Sequence, residues 1–218
     1  MEKMKYDMAG GAAVLGAMLA VAKLGLKRNV VGVIGAAENM PSGTAIKPGD
    51  IVTSYAGLTI EVNDTDAEGR VVLADALAYT VKDLQAEAIV DMATLTGAVG
   101  VALGLELCGV MGNHPAMVER VLDAGERAGE RGWELPVMDE FEDLLKSDIA
   151  DLKNYGGRYA GASAAGAFLE KFVGQTPWVH LDIAGVGWTD KDKGYRPKGP
   201  TGAPVRLLVE LARNWKSL

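Results

Sequence analysis

Short runs of apolar, β-branched residues alternate with stretches of helical periodicity, and this alternation limits the fold more than any other feature of the chain. The runs at 29–36 (NVVGVIGA), 88–95 (AIVDMATL) and 178–184 (WVHLDIA) read as strands buried on both faces. Between them, 8–26, 68–84, 115–131, 163–173 and 203–215 carry helical spacing, and 140–146 continues in the same style. Residues 51–56 and 59–62 flank Gly57-Leu58 as a hairpin, and 108–112 reads as a further strand. The segments 38–49, 155–161 and 190–202 are dense in turn residues and read as loops. Such alternation predicts an α/β fold, a three-layer sandwich around a mostly parallel central sheet. No linker-like shift or repeat divides the 218 residues, so one domain, 1–218, is expected.

Ligands in such sheets bind where loops leave the carboxyl ends of strands. That rule directs attention to the loops after residues 62, 95 and 184. The first of them, Asn63-Asp64-Thr65-Asp66-Ala67-Glu68-Gly69-Arg70, packs charge between a strand and a helix. Thr65 and Glu68 have the spacing of a capping box. Equally, Asp66 and Glu68 have the chemistry of hard-cation ligands. Asp7 precedes the apolar stretch at 8–26 and can be read as its N-cap. Thr94 and Thr96 close a strand, or offer a hydroxyl or carbonyl to a ligand.

Composition removes other classes. A net charge of −7 without a Lys/Arg run argues against nucleic acid or an anionic membrane as partner. The stretch at 8–26 is Ala- and Gly-rich and is interrupted by Lys23, so it reads as a helix packed deep between other elements rather than a span. One cysteine, Cys108, excludes an internal disulfide and a Cys-rich zinc site, and its apolar setting reads as core. Two histidines, His114 and His180, are too few for a histidine-rich zinc site. No HExxH, GxSxG, P-loop or GxGxxG occurs.

The acidic loop resembles the NTDAEGR signature of the leucyl (cytosol) aminopeptidases, with Asp64 where that signature has Asn. Five more segments resemble the family in its order: residues 4–13 (MKYDMAGGAA), 38–43 (ENMPSG), 48–50 (PGD), 93–97 (ATLTG) and 180–185 (HLDIAG). The resemblance implies a two-metal aminopeptidase that removes Leu-like N-terminal residues from peptides, with Mn or Zn as the divalent ions. It implies that Asp66 binds one metal, Asp7 the other, and Glu68 both. It implies that Arg70 helps hold a bicarbonate-like anion that assists proton transfer. Met4, Thr94, Gly97 and Ala184 would line the pocket for the first side chain, and the Leu95 carbonyl would meet the substrate amine or the nucleophile. It further implies a cytoplasmic homo-oligomer, trimer or hexamer, with peptides as substrates and no nucleic acid or membrane partner.

The family also has a segment of the type KGxTFDxGGxxxKP immediately before MKxDM, which supplies a bridging aspartate and two lysines. This chain opens a few residues before Asp7. The expectation is therefore an N-terminally incomplete catalytic domain that keeps three of five metal-ligand residues. The alternative is a catalytically inactive remnant acting as an oligomer-forming scaffold or interaction protein.

Overall fold

A computed structural model describes residues 2–217. Its central sheet is built from four strands: β3 (Ile89–Ala93), β7 (Trp178–Asp182), β4 (Cys108–Gly112) and β5 (Gly132–Glu134), in that spatial order. The pairs β3–β7 and β4–β5 are parallel, and β4–β7 is antiparallel. A smaller sheet joins β1 (Asp50–Thr53), β2 (Thr59–Val62) and β6 (Leu152–Lys153). β1 and β2 form the expected hairpin, with Thr53 opposite Thr59. A third pairing, β8 (Trp188–Thr189) with β9 (Gly199–Pro200), organises the ends of the loop that runs to residue 202.

Helices cover both faces of the central sheet, as the three-layer expectation requires. Strand β7 shows why. Its side chains alternate, so Val179 and Leu181 enter one apolar cluster while Trp178 enters the other. The first cluster packs β4 and β7 beneath α1 (Ala9–Lys23), α4 (Pro115–Ala128) and α7 (Val205–Arg213). The second packs α2 (Gly69–Lys82) and α6 (Gly161–Glu170) against the opposite face, together with Ile60 and Leu152 of the small sheet. A short α5 (Asp139–Glu142) leads into a 3-10 turn at Asp143–Leu145 beside α6.

Local chemistry sets the helix ends. Pro115 occupies the first turn of α4, where a missing N–H costs nothing. Gly129, at φ 67°, closes α4 in the left-handed region. One helix escaped the sequence reading: α3 (Gly97–Leu103), where only a turn at Thr96-Gly97 was expected. The Thr96 side chain caps it by accepting from the Val99 N–H at 3.1 Å.

Two expectations need correction. Residues 29–36 join no ladder among the described residues, so they do not form the expected strand. A β-branched run favours extended backbone, but a strand also needs a neighbour for its N–H and C=O groups. Nor is α1 buried all round. Gly10, Ala13, Ala17 and Val21 face the core, whereas Leu15 and Leu19 lie exposed on the outer side. No helix among the described residues is long and apolar enough to cross a membrane.

Candidate active site

The acidic loop follows β2 and is held from below by Asn154. This fully buried side chain accepts from the Asn63 N–H at 3.0 Å and donates to the carbonyls of Asp64 at 2.7 Å and Ala67 at 3.0 Å. Asn63 and Tyr155 exchange two further bonds, each of 3.0 Å. The loop therefore has a fixed backbone before any ligand is considered.

The expected capping box does not form. A 3-10 turn at Thr65–Ala67 opens the segment, and Asp64 caps it by accepting from the Asp66 N–H at 2.9 Å. Glu68 makes no side-chain cap at the start of α2. Asp7 does not cap α1 either, because Met8 stands at that position. The Asp7 carboxylate instead accepts from the Thr94 hydroxyl at 2.7 Å, which ties the N-terminal segment to the end of β3.

One cavity of about 1900 Å³ is lined by Asp7, Asp66, Glu68 and Arg70, and by Met4, Thr94, Leu95 and Gly97. Ala184 does not line it. Glu68 is half-buried, and burial pushes its carboxyl above the usual range, helped by the nearby negative charges of Asp7 and Asp66. A cation would relieve that cost, and three carboxylates are the donors a hard cation takes. In kind, the donor set fits a divalent ion. Among the described residues, however, no three His, Cys, Asp or Glu side chains form a closed cage.

Arg70 is buried on α2, and burial lowers its pKa against the opposing pull of Asp182, Asp64, Tyr155 and Glu68. Its Nη1 donates to the Asn154 carbonyl at 2.9 Å, while its Nε has no partner among the described residues. A buried guanidinium with a spare donor fits a small oxyanion.

Asp182, at the end of β7, was missed as a candidate. It is buried, and burial raises its pKa against the pull of His180 and of its own hydrogen-bond donors. It accepts from the Leu95 N–H at 3.2 Å, the Thr96 hydroxyl at 2.6 Å and the Ala184 N–H at 3.2 Å. Ala184 is thus joined to the cavity-lining segment 94–97 through one carboxylate. The signal was available: Asp182 sits within HLDIAG, at the end of a strand in an α/β sheet. Asn154 carried no comparable signal.

Comparison with known proteins gives consistent matches. The catalytic domain of the cytosol aminopeptidase family matches residues 1–209. A probable cytosol aminopeptidase of Geotalea uraniireducens is 57% identical over 216 residues, covering 99% of this chain and 43% of the relative. One of Geobacter sulfurreducens is 56% identical over 210 residues, covering 96% and 42%. A solved structure of a tomato leucine aminopeptidase mutant superposes with a TM-score of 0.89 at 42% identity, covering 96% of this chain and 41% of that one. The chain therefore spans less than half the length of these relatives.

Proposed function

The chain belongs to the cytosol aminopeptidase family through its catalytic domain, and from that premise we propose that it serves metal-dependent removal of N-terminal, Leu-like residues from peptides. The observation that carries this reading is the gathering of Asp7, Asp66 and Glu68 around one cavity with the segment 94–97. Asp7, the acidic loop that carries Asp66 and Glu68, and the segment 94–97 lie far apart in sequence, and helix capping does not account for any of the three carboxylates.

In this reading Asp7, Asp66 and Glu68 hold two divalent cations, Mn or Zn. When bound, such a pair supplies charge that lowers the pKa of water and polarises the scissile carbonyl. The residues of this chain do the rest. Glu68 feels the negative charge of both Asp7 and Asp66, and would be the carboxylate that the two ions share. Arg70, with its unpartnered Nε, holds a bicarbonate-like anion near the reacting centre. The Leu95 carbonyl accepts from the free amine of the substrate, which favours cleavage at a chain terminus. Met4, Thr94 and Gly97 shape the pocket for the first side chain, while Ala184, outside the cavity lining, acts on it only through the Asp182 carboxylate it shares with Leu95 and Thr96. A cytoplasmic homo-oligomer, trimer or hexamer, is part of the same proposal.

Calorimetric titration with Mn²⁺, run beside hydrolysis of a leucine anilide, tests it. Two-site binding that is lost in Glu68→Ala supports the ligand assignment. Well-folded protein that binds no Mn²⁺ and hydrolyses no anilide rejects it.

A second reading rests on the lack of a closed three-ligand cage among the described residues. In it, residues 1–218 form a catalytically inactive scaffold that takes part in assembly. An oligomer in sedimentation, with neither Mn²⁺ binding nor hydrolysis, would favour this reading over the first.

A further inference from the structure

Asn154 has every polar group in use. Its backbone N–H donates to the Glu61 carbonyl at 2.9 Å, which carries the β2–β6 pairing one residue further. Its side-chain oxygen accepts from the N–H groups of Asn63 at 3.0 Å and Asp64 at 3.3 Å. Its side-chain amide donates to the carbonyls of Asp64 at 2.7 Å and Ala67 at 3.0 Å. Its own carbonyl accepts from Arg70 Nη1 at 2.9 Å. The residue is fully buried, so water does not compete for these bonds.

The bonds fall on the parts of the loop that aim the site. The two carbonyls held by one amide lie three residues apart and bracket Asp66 within the 3-10 turn at Thr65–Ala67. Glu68 follows directly at the cap of α2, and Arg70 stands in the first turn of that helix. The place selects asparagine. Aspartate has the same size but no N–H to give the two carbonyls. Serine and threonine offer one donor where two are used. Glutamine brings an extra methylene into a position without exposed surface. Strand β6 is two residues long, and its chief product is the delivery of Asn154 to the loop.

We infer that Asn154 is a positioning residue for the candidate active site. From the end of β6 it holds Asp66, Glu68 and Arg70 in one frame, so that the carboxylates offered to a cation and the guanidinium offered to an anion keep a fixed spacing. All its polar groups are taken by protein, so it acts only through the loop backbone and the Arg70 side chain. A loop arranged in advance binds its cation without first being ordered, and affinity falls when that arrangement is loosened. The effect on cation binding rests on the aminopeptidase reading, whereas the effect on the loop does not.

Asn154→Asp and Asn154→Ser test it, with Asp151→Ala as the comparison. Asp151 fastens the other end of the β2–β6 pairing, accepting from the Thr59 N–H at 2.8 Å and the Thr59 hydroxyl at 2.7 Å. Amide hydrogen exchange of the metal-free proteins and calorimetric titration with Mn²⁺ are the readouts. The N–H groups of Asp66 and Ala67 are bonded within the turn. In both Asn154 variants they should exchange at least about ten-fold faster than in the wild type, while β3 and β7 keep their protection. Mn²⁺ should bind both variants at least about ten-fold more weakly. For Asn154→Asp that direction opposes the attraction of its added negative charge. Asp151→Ala should move neither readout. Unchanged exchange at Asp66 and Ala67 overturns the proposal, as does Mn²⁺ affinity that is kept or raised in either Asn154 variant. An equal effect of Asp151→Ala, or lost protection throughout β3 and β7, overturns it in favour of a general support of the fold. Wild type that binds no Mn²⁺ rejects the aminopeptidase reading alone, and exchange at Asp66 and Ala67 then decides the role of Asn154.

Discussion

The Thr96 hydroxyl donates to Asp182 at 2.6 Å, joining the segment after β3 to the end of β7 inside the protein. The same hydroxyl oxygen accepts from the Val99 N–H, so one side chain both caps α3 and serves the buried carboxylate. Asp182→Ala orphans the Leu95, Thr96 and Ala184 donors at once. It should lower stability by about 3 kcal/mol, the range for a buried group stripped of its partner. Thr96→Ala should cost about 1 kcal/mol more than an exposed threonine does. Urea unfolding of both variants checks the order; equal losses would contradict it.

Asp64 differs from the family signature by one atom type, and its carboxylate caps the turn before Asp66. Asparagine keeps an oxygen at that place. Asp64→Asn should therefore change stability by less than about 0.5 kcal/mol, while Asp64→Ala should cost about 1 kcal/mol. The lost charge should instead appear in Mn²⁺ titration, as affinity weakened about two- to five-fold at low ionic strength and less in salt. Calorimetry at two salt concentrations separates the two effects.

His180 and Asp91 face each other across the β3–β7 ladder, with Nδ1 and Oδ1 2.6 Å apart. Burial pushes the His180 pKa down, but the charge and hydrogen bond of Asp91 outweigh it and hold the pKa above its usual value. A raised folded pKa means that the imidazolium stabilises the fold. That contribution is fully present below the unfolded value of about 6.5 and is lost as pH rises through the raised folded value. Unfolding measured from pH 5.5 upward should show that decline in the wild type. His180→Gln should lack it, and a parallel decline in the variant would remove His180 as the cause.

Cys108 lies buried on β4, and burial pushes its thiol up to about 12. The reactive thiolate is therefore scarce near neutral pH, and reagents cannot reach it. Native protein should resist iodoacetamide at pH 8, while unfolded protein should react fully. Mass spectrometry of timed samples reads the difference. Labelling at equal rates in both states would show that β4 opens freely.

Much of the fold was legible in the sequence because burial leaves a local period. The runs at 88–95, 108–112 and 178–184 show apolar continuity that marks β3, β4 and β7, and the spacing at 115–131 marks α4. Strands of two or three residues, such as β5 and β6, are too short to leave a period. The motifs also placed the acidic loop and the 94–97 segment after strands, where they lie.

Sequence alone determined the longer periodic helices, the buried runs of β3, β4 and β7, and which carboxylates invite a cation. Tertiary structure alone decided whether residues 29–36 have a ladder partner and that Asp7 meets Thr94. It also decided that buried Asn154 and Asp182 fix the loops around the cavity. The reason is physical. Propensity and periodicity act over a few neighbouring residues, whereas a ladder, a buried hydrogen bond or a shared charge needs a partner that the chain brings from far away.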